Sequence, residues 1–430
     1  MPDSAANFRP DHRFETLQVH AGQTPAPVTN ARALPIYQTS SFTFNDSAHA
    51  ARLFALEEEG NVYTRIFNPT SDVFERRIAA LEGGVAAVAV GTHAAARFLA
   101  FNTLLTHGDD IVVSNSVGSE TRHQLLAFER NFGIHARFVD DDIPAAFAQA
   151  IGPRTRAIYV ETLAGAGLRV PDFVGIAEVA HAAGLPLLVD NTAGGGGYLA
   201  QPLAHGADVV IAATNRLIGG HGAPAGGVIV DGGRFNWASG RFAEFTQPSA
   251  GYHGLRFWER FGPGSPTGNI AFAIRSRVEG ARDIGPSLSP LSAFQFVVGL
   301  ETLSLRAQRH ADNALALAHW LRARPEVSAV IYPGLPEHPQ HALARRYLPN
   351  GFGSELRFVL RGGGDAAARL LAGLELVGSV VNPDDGRTQI EAAEAAETAC
   401  GRADGGTLRL FAGLEHFDDL VADIDRALTR

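Results

Sequence analysis

Between Ser71 and Asp231, short apolar runs alternate with helical segments, and this alternation constrains the fold more than any other feature. VAAVAV (85–90), DIVVS (110–114), RAIYVE (156–161), PLLVD (186–190), ADVVIAA (207–213) and GGVIVD (226–231) read as buried strands. SDVFERRIAALE, HAAARFLAFNTLL and VPDFVGIAEVAHAAG read as helices, the first stopping at Gly83-Gly84 and the last at Gly184. Strands alternating with helices indicate a mostly parallel α/β sheet. In such sheets ligands bind at the carboxyl ends of strands, and those ends carry Glu161, Asp190 and the stretch Ala212–Arg216.

The flanks differ in texture. Residues 1–70 read as an extended N-terminal arm broken by Pro and polar clusters, 71–275 as the large α/β domain and 276–430 as a smaller C-terminal α+β domain. The last contains one long helical pattern over about 290–324, three strand-like segments (327–332, 354–360, 407–413) and a helix over 416–428. GRTQIEAAEAAETACGRADGG (386–406) reads as a mobile loop or short helix, and the spacing of Glu391, Glu394 and Glu397 suits a solvated helical face. GGGG (194–197) suits close backbone packing rather than phosphate binding, and no repeat of fixed period is present.

Composition excludes several function classes. A net charge of -9 argues against a general nucleic-acid binder. One cysteine, Cys400, excludes an internal disulfide and a cysteine metal cluster. No apolar run reaches 18 residues and MPDSAANFRPDHRFE has no apolar signal core, so a cytoplasmic address is expected. Most consequential, all 36 of the Lys+Arg residues are arginine. No side chain can form a lysine Schiff base, and no lysine can serve as a tuned base.

Several segments carry a resemblance: ETLQVHAGQ, LPIYQTSSF, YTRIFNPTSDVFERRIAALEGG, VDNT, IGGHG, FNWASGRFAEFTQPSAGYHGL, GLETLSLR and LPNGFG. On these the chain resembles the O-acetylhomoserine sulfhydrylases of the Cys/Met-metabolism group of PLP-dependent enzymes, over roughly residues 14–428. The resemblance implies the PLP-transferase fold of type I, a mostly parallel seven-stranded sheet with helices on both faces. It also implies that Asp190 faces the pyridinium nitrogen, that Tyr63 and Arg65 reach the phosphate of a neighbouring subunit, and that Arg409 clamps the substrate α-carboxylate as a fork.

Other positions depart from the family pattern. Arg216 stands where the Schiff-base lysine is expected, with Ala213 and Asn215 in place of phosphate-binding hydroxyls. The phosphate loop becomes Thr92-His93-Ala94-Ala95-Ala96, the stacking tyrosine becomes Gly118, and a second tyrosine becomes Arg122. A His-rich segment near the substrate becomes Glu391–Glu397. These matches gather His93, Arg97, Arg122, Arg216 and Arg409 near Arg65, a concentration of positive charge that suits an anionic ligand.

The leading expectation is therefore a PLP-independent lyase or transferase on the sulfhydrylase scaffold, acting on a small anionic or amino-acid-derived metabolite. His93, Asp190 and Arg216 are its candidate catalytic residues, with Glu391 as a further acid or base. Tyr63, Arg65, Thr92, Arg122, Asn215 and Arg409 are candidate anion-binding residues; no metal is expected, nor PLP as a cofactor. Two alternatives stay open: a non-catalytic pseudoenzyme subunit or binder paired with an active paralogue, and residual γ-replacement chemistry with PLP held non-covalently. A homodimer or tetramer is expected.

Overall fold

The computed structural model describes residues 11–140, 142–378, 386–393 and 406–429. Seven strands form the first sheet: β1 (Ala86–Val90), β2 (Asp110–Ser114), β3 (His135–Val139), β4 (Thr155–Glu161), β5 (Leu187–Asp190), β6 (Val209–Ala213) and β7 (Gly227–Asp231). Their order is β1-β7-β6-β5-β4-β2-β3. β7 runs antiparallel to β1 and β6, and the remaining pairings are parallel. The mostly parallel α/β class expected from the alternation is what forms.

The central strands are apolar on both faces because helices cover both. Val112, Ile158, Val160, Val189 and Val210 join one core with the helices Pro69–Glu82 and Phe173–Ala182. Ile111, Val113, Tyr159, Leu188 and Ile211 join the opposite core with the helix His93–Leu104. Continuous rather than alternating hydrophobicity is the signature of strands buried on both sides. β3 was not read from the sequence for the converse reason. It lies at the sheet edge, its HARFV is largely accessible, and it lacks the apolar run.

A second, antiparallel sheet has the order β10-β11-β9-β8, with β8 (Val327–Ile331), β9 (Glu355–Leu360), β10 (Gln389–Ala392) and β11 (Thr407–Phe411). Two expectations fail here. The long helix over 290–324 is two helices, Pro290–Leu300 and Leu303–Arg322, separated at Glu301-Thr302. The segment 386–406 is not simply a loop or short helix, because Glu391 lies in β10 and pairs in register with Arg409. Glu394 and Glu397 lie outside the described residues. Among the described residues, no helix is long and apolar enough to cross a membrane.

Candidate active site

A cavity of about 370 Å³ opens over the carboxyl ends of β4, β5 and β6 and is closed on its far side by β9 and β11 of the second sheet. Parallel pairing puts Glu161 directly beside Asp190, so a buried and a half-buried carboxylate meet on neighbouring strand ends. Their environments push them apart. Burial raises Glu161, and the charge of Asp190 adds to that, against hydrogen bonds from Thr121 Oγ1 (2.6 Å) and the Gly118 N–H (3.1 Å). Burial also works against Asp190, but His93, Arg97 and Thr192 outweigh it and hold that carboxyl well below the usual range.

Asp190 has each oxygen engaged. Oδ1 accepts from Thr192 Oγ1 (2.6 Å) and the Thr192 N–H (3.1 Å). Oδ2 lies 2.6 Å from His93 Nε2, 3.1 Å from the Tyr159 hydroxyl and 3.7 Å from Arg97 Nη1. A carboxylate only accepts, so Nε2 of His93 carries the hydrogen. Nδ1 then faces Arg97 Nη1 at 3.4 Å. His93 reaches this place because Thr92 caps its helix, accepting the Ala95 N–H at 3.0 Å, and starts the first turn at the end of β1.

The loop carrying Asn215 and Arg216 is held from below. Arg306, in the GLETLSLR segment, is buried and donates to the carbonyls of Leu217 (2.7 Å), Ile218 (3.2 Å) and Gly299 (2.6 Å). Burial lowers its affinity for the proton to about 10, still a cation at neutral pH. Gly220 of IGGHG adopts φ +70°, and a Cβ there would sit 1.8 Å from Arg306 Nη1. Two segments distant in sequence thus act as one support for the position of Arg216.

On the far wall, Arg409 of β11 sits between two carboxylates. Its Nε and Nη2 reach Glu355 at 3.1 and 3.4 Å, and its Nη1 reaches Glu391 at 3.0 Å. Glu355 also pairs with Arg357 at 3.1 Å. Burial would raise Glu355, but Arg409 and Arg357 outweigh it and lower it.

With this geometry in view, the comparisons with known proteins decide the family. Residues 15–429 match the Cys/Met metabolism PLP-dependent enzymes. The chain belongs to that family. It is 48% identical over 428 residues to Sulfhydrylase FUB7 of Fusarium oxysporum f. sp. lycopersici, covering 97% of each chain. It is 45% identical to O-acetyl-L-homoserine sulfhydrylase 1 of Thermus thermophilus, covering 97% of this chain and all of that one. A solved structure from Campylobacter jejuni carrying N′-pyridoxyl-lysine-5′-monophosphate superposes with a TM-score of 0.90 at 30% identity, over 98% of this chain.

These findings correct the leading expectation. A PLP-independent, repurposed role does not stand beside a family described as PLP-dependent and relatives named sulfhydrylases or homocysteine synthases at 43–48% identity over nearly the whole chain. The pseudoenzyme or binder alternative falls on the same finding. So does the expectation that PLP is not a cofactor, since a structural neighbour holds a pyridoxyl-lysine group.

The residues do not fit PLP in its lysine-bound form. The chain contains no lysine, and both oxygens of Asp190 are engaged by Thr192, His93 and Tyr159. A ring nitrogen could pair with Asp190 only after His93 moved off Oδ2.

The sequence-derived site residues are only partly brought together. Thr92, His93, Asp190, Asn215, Arg216 and Arg409 line the cavity. Arg122 does not: its Nη2 bonds the carbonyl of Asn115 and its guanidinium lies 4.2 Å above the Phe138 ring. Tyr63 and Arg65 are not in the lining of their own chain, and the Arg65 guanidinium packs over the Tyr63 ring at 5.2 Å. Glu391 touches the site through Arg409. The strongly cationic cleft expected from the resemblance is also corrected. Arg97, Arg216, Arg357, Arg387 and Arg409 share the lining with Glu120, Glu161, Asp190 and Glu355. Glu355 and His310 were missed; the ELR of β9 carried a signal, since Glu355 and Arg357 share one face of a strand.

Proposed function

We propose that this chain is a divergent, lysine-lacking member of the family, performing a sulfhydrylase-type replacement on an O-acylated amino acid with PLP as a dissociable cofactor. The observation that carries the reading is the retention of Asp190 and Arg409 on opposite walls of one cavity, within a chain related along its whole length to named sulfhydrylases. Burial raises Glu161 while Asp190 stays ionised beside it, which suits Glu161 as a proton carrier and Asp190 as a fixed negative charge. Tyr63 and Arg65 are assigned to the site of a second copy, consistent with their position outside their own cavity.

The test is product formation. Purified protein is incubated with sulfide and O-acetyl-L-homoserine, or its methyl ester, with and without added PLP. PLP-dependent release of the thiol product from either substrate supports the reading. No PLP-dependent product from either one refutes it.

A further inference from the structure

The fork of Arg409 is occupied by the chain itself. Nε and Nη2, the two donors that match a carboxylate side by side, both face Glu355, and Nη1 faces Glu391. Register explains how. Arg409 lies directly opposite Arg357 on β9 and opposite Glu391 on β10. Two arginines face to face across a ladder repel, and Glu355, two residues along from Arg357 on the same face of β9, bonds both. Glu391 closes the other side of Arg409.

We propose that Glu355 is a specificity-determining residue: it fills the carboxylate seat of Arg409 from within, so the seat selects substrates whose carboxyl group is esterified or amidated. The proposal deepens the sulfhydrylase reading by naming the substrate class, an O-acylated amino acid with its carboxyl blocked. A free carboxylate entering the fork meets Glu355 and must displace this tethered competitor. Tethering gives Glu355 an effective concentration of at least roughly millimolar, and lowering by Arg409 and Arg357 keeps it ionised at neutral pH. An ester or amide carbonyl carries no charge, so it can sit beside the filled fork without repulsion.

Binding is measured by calorimetry on the intact protein, which requires neither cofactor nor turnover and stays readable if the sulfhydrylase assay fails. The probes are O-acetyl-L-homoserine and its methyl ester. The wild type is expected to bind the ester at least tenfold more tightly than the free acid. Glu355→Gln is expected to tighten the free acid at least tenfold. Glu391→Gln makes the same charge change while leaving the fork filled, and is expected to shift the free acid by less than threefold. A wild type that prefers the free acid overturns the proposal. So does a Glu355→Gln protein whose affinity for the free acid stays within twofold of wild type, or a Glu391→Gln protein that matches Glu355→Gln.

Discussion

Replacing His93 probes how the strand end is held. His93→Ala removes a 2.6 Å bond to a carboxylate that is only 4% exposed. A hydrogen bond to a charged group contributes about 1.5–3 kcal/mol. The rest of the shell remains: Thr192 on Oδ1, the Tyr159 hydroxyl at 3.1 Å and Arg97 at 3.7 Å. Alanine also suits the first turn of the helix slightly better, by a few tenths of a kcal/mol. The single change should therefore destabilise by about 2 kcal/mol. Asp190→Asn keeps the shape but removes the charge that His93 and Arg97 answer. Once His93 is gone, that second change should cost less, giving a coupling of about 1.5–2.5 kcal/mol in a double-mutant cycle. Asp190 is held below its ordinary value of 3.8. Its stabilising contribution is thus present in full above about pH 4 and is lost only as the pH falls further. Urea unfolding of the four proteins at pH 7.5, followed by fluorescence of the buried Trp237, reads the coupling. A value below about 0.5 kcal/mol would show that the His93–Asp190 pair does not hold the site together.

Three further outcomes follow from the same structure. Glu82 is buried beneath Asn191, whose Nδ2 bonds both of its oxygens (3.1 and 2.9 Å), and burial raises its carboxyl from 4.5 to about 8. Its contribution is therefore greatest below pH 4.5 and is lost as the pH rises towards 8; Glu82→Gln should flatten that fall, by about 2–4 kcal/mol, and unchanged pH dependence in urea titrations would contradict it. With PLP and borohydride, the wild type should gain no pyridoxyl adduct outside its N-terminal amine, whereas Arg216→Lys should gain one at position 216; an unmodified peptide there by mass spectrometry counts against Arg216 standing at the Schiff-base position. Gly220→Ala combines φ +70° with a Cβ 1.8 Å from Arg306, so it should lower stability by about 1–3 kcal/mol and loosen the 215–220 loop; amide exchange there matching wild type would refute the support role of Arg306.

Much of the fold was legible because local patterning and tertiary structure agree in it. Six of the seven strands of the large sheet announce themselves as short apolar runs, since helices cover both faces and nearly every position is buried. β3 escaped because an edge strand with His135, Arg137 and an accessible face needs no apolar run. Glu391 was misplaced because Glu391, Glu394 and Glu397 have helical spacing, while pairing with Arg409 puts Glu391 in a strand. Family membership, too, is legible in its motifs, but substituted site residues do not by themselves carry a PLP-independent role, because the kinship runs along the whole chain.

The sequence by itself determined the α/β class, the family and the absence of any lysine amine, because periodicity, motif spacing and residue identity are properties of the chain as written. Only the tertiary structure decided which charges meet. Arg122 turns to Asn115 and Phe138, Asp190 takes His93 as its partner, and Arg409 closes on Glu355. Each of these pairs joins different strands or loops. Electrostatic partnership depends on a few ångströms of separation across the folded chain, and no spacing along the sequence encodes that distance.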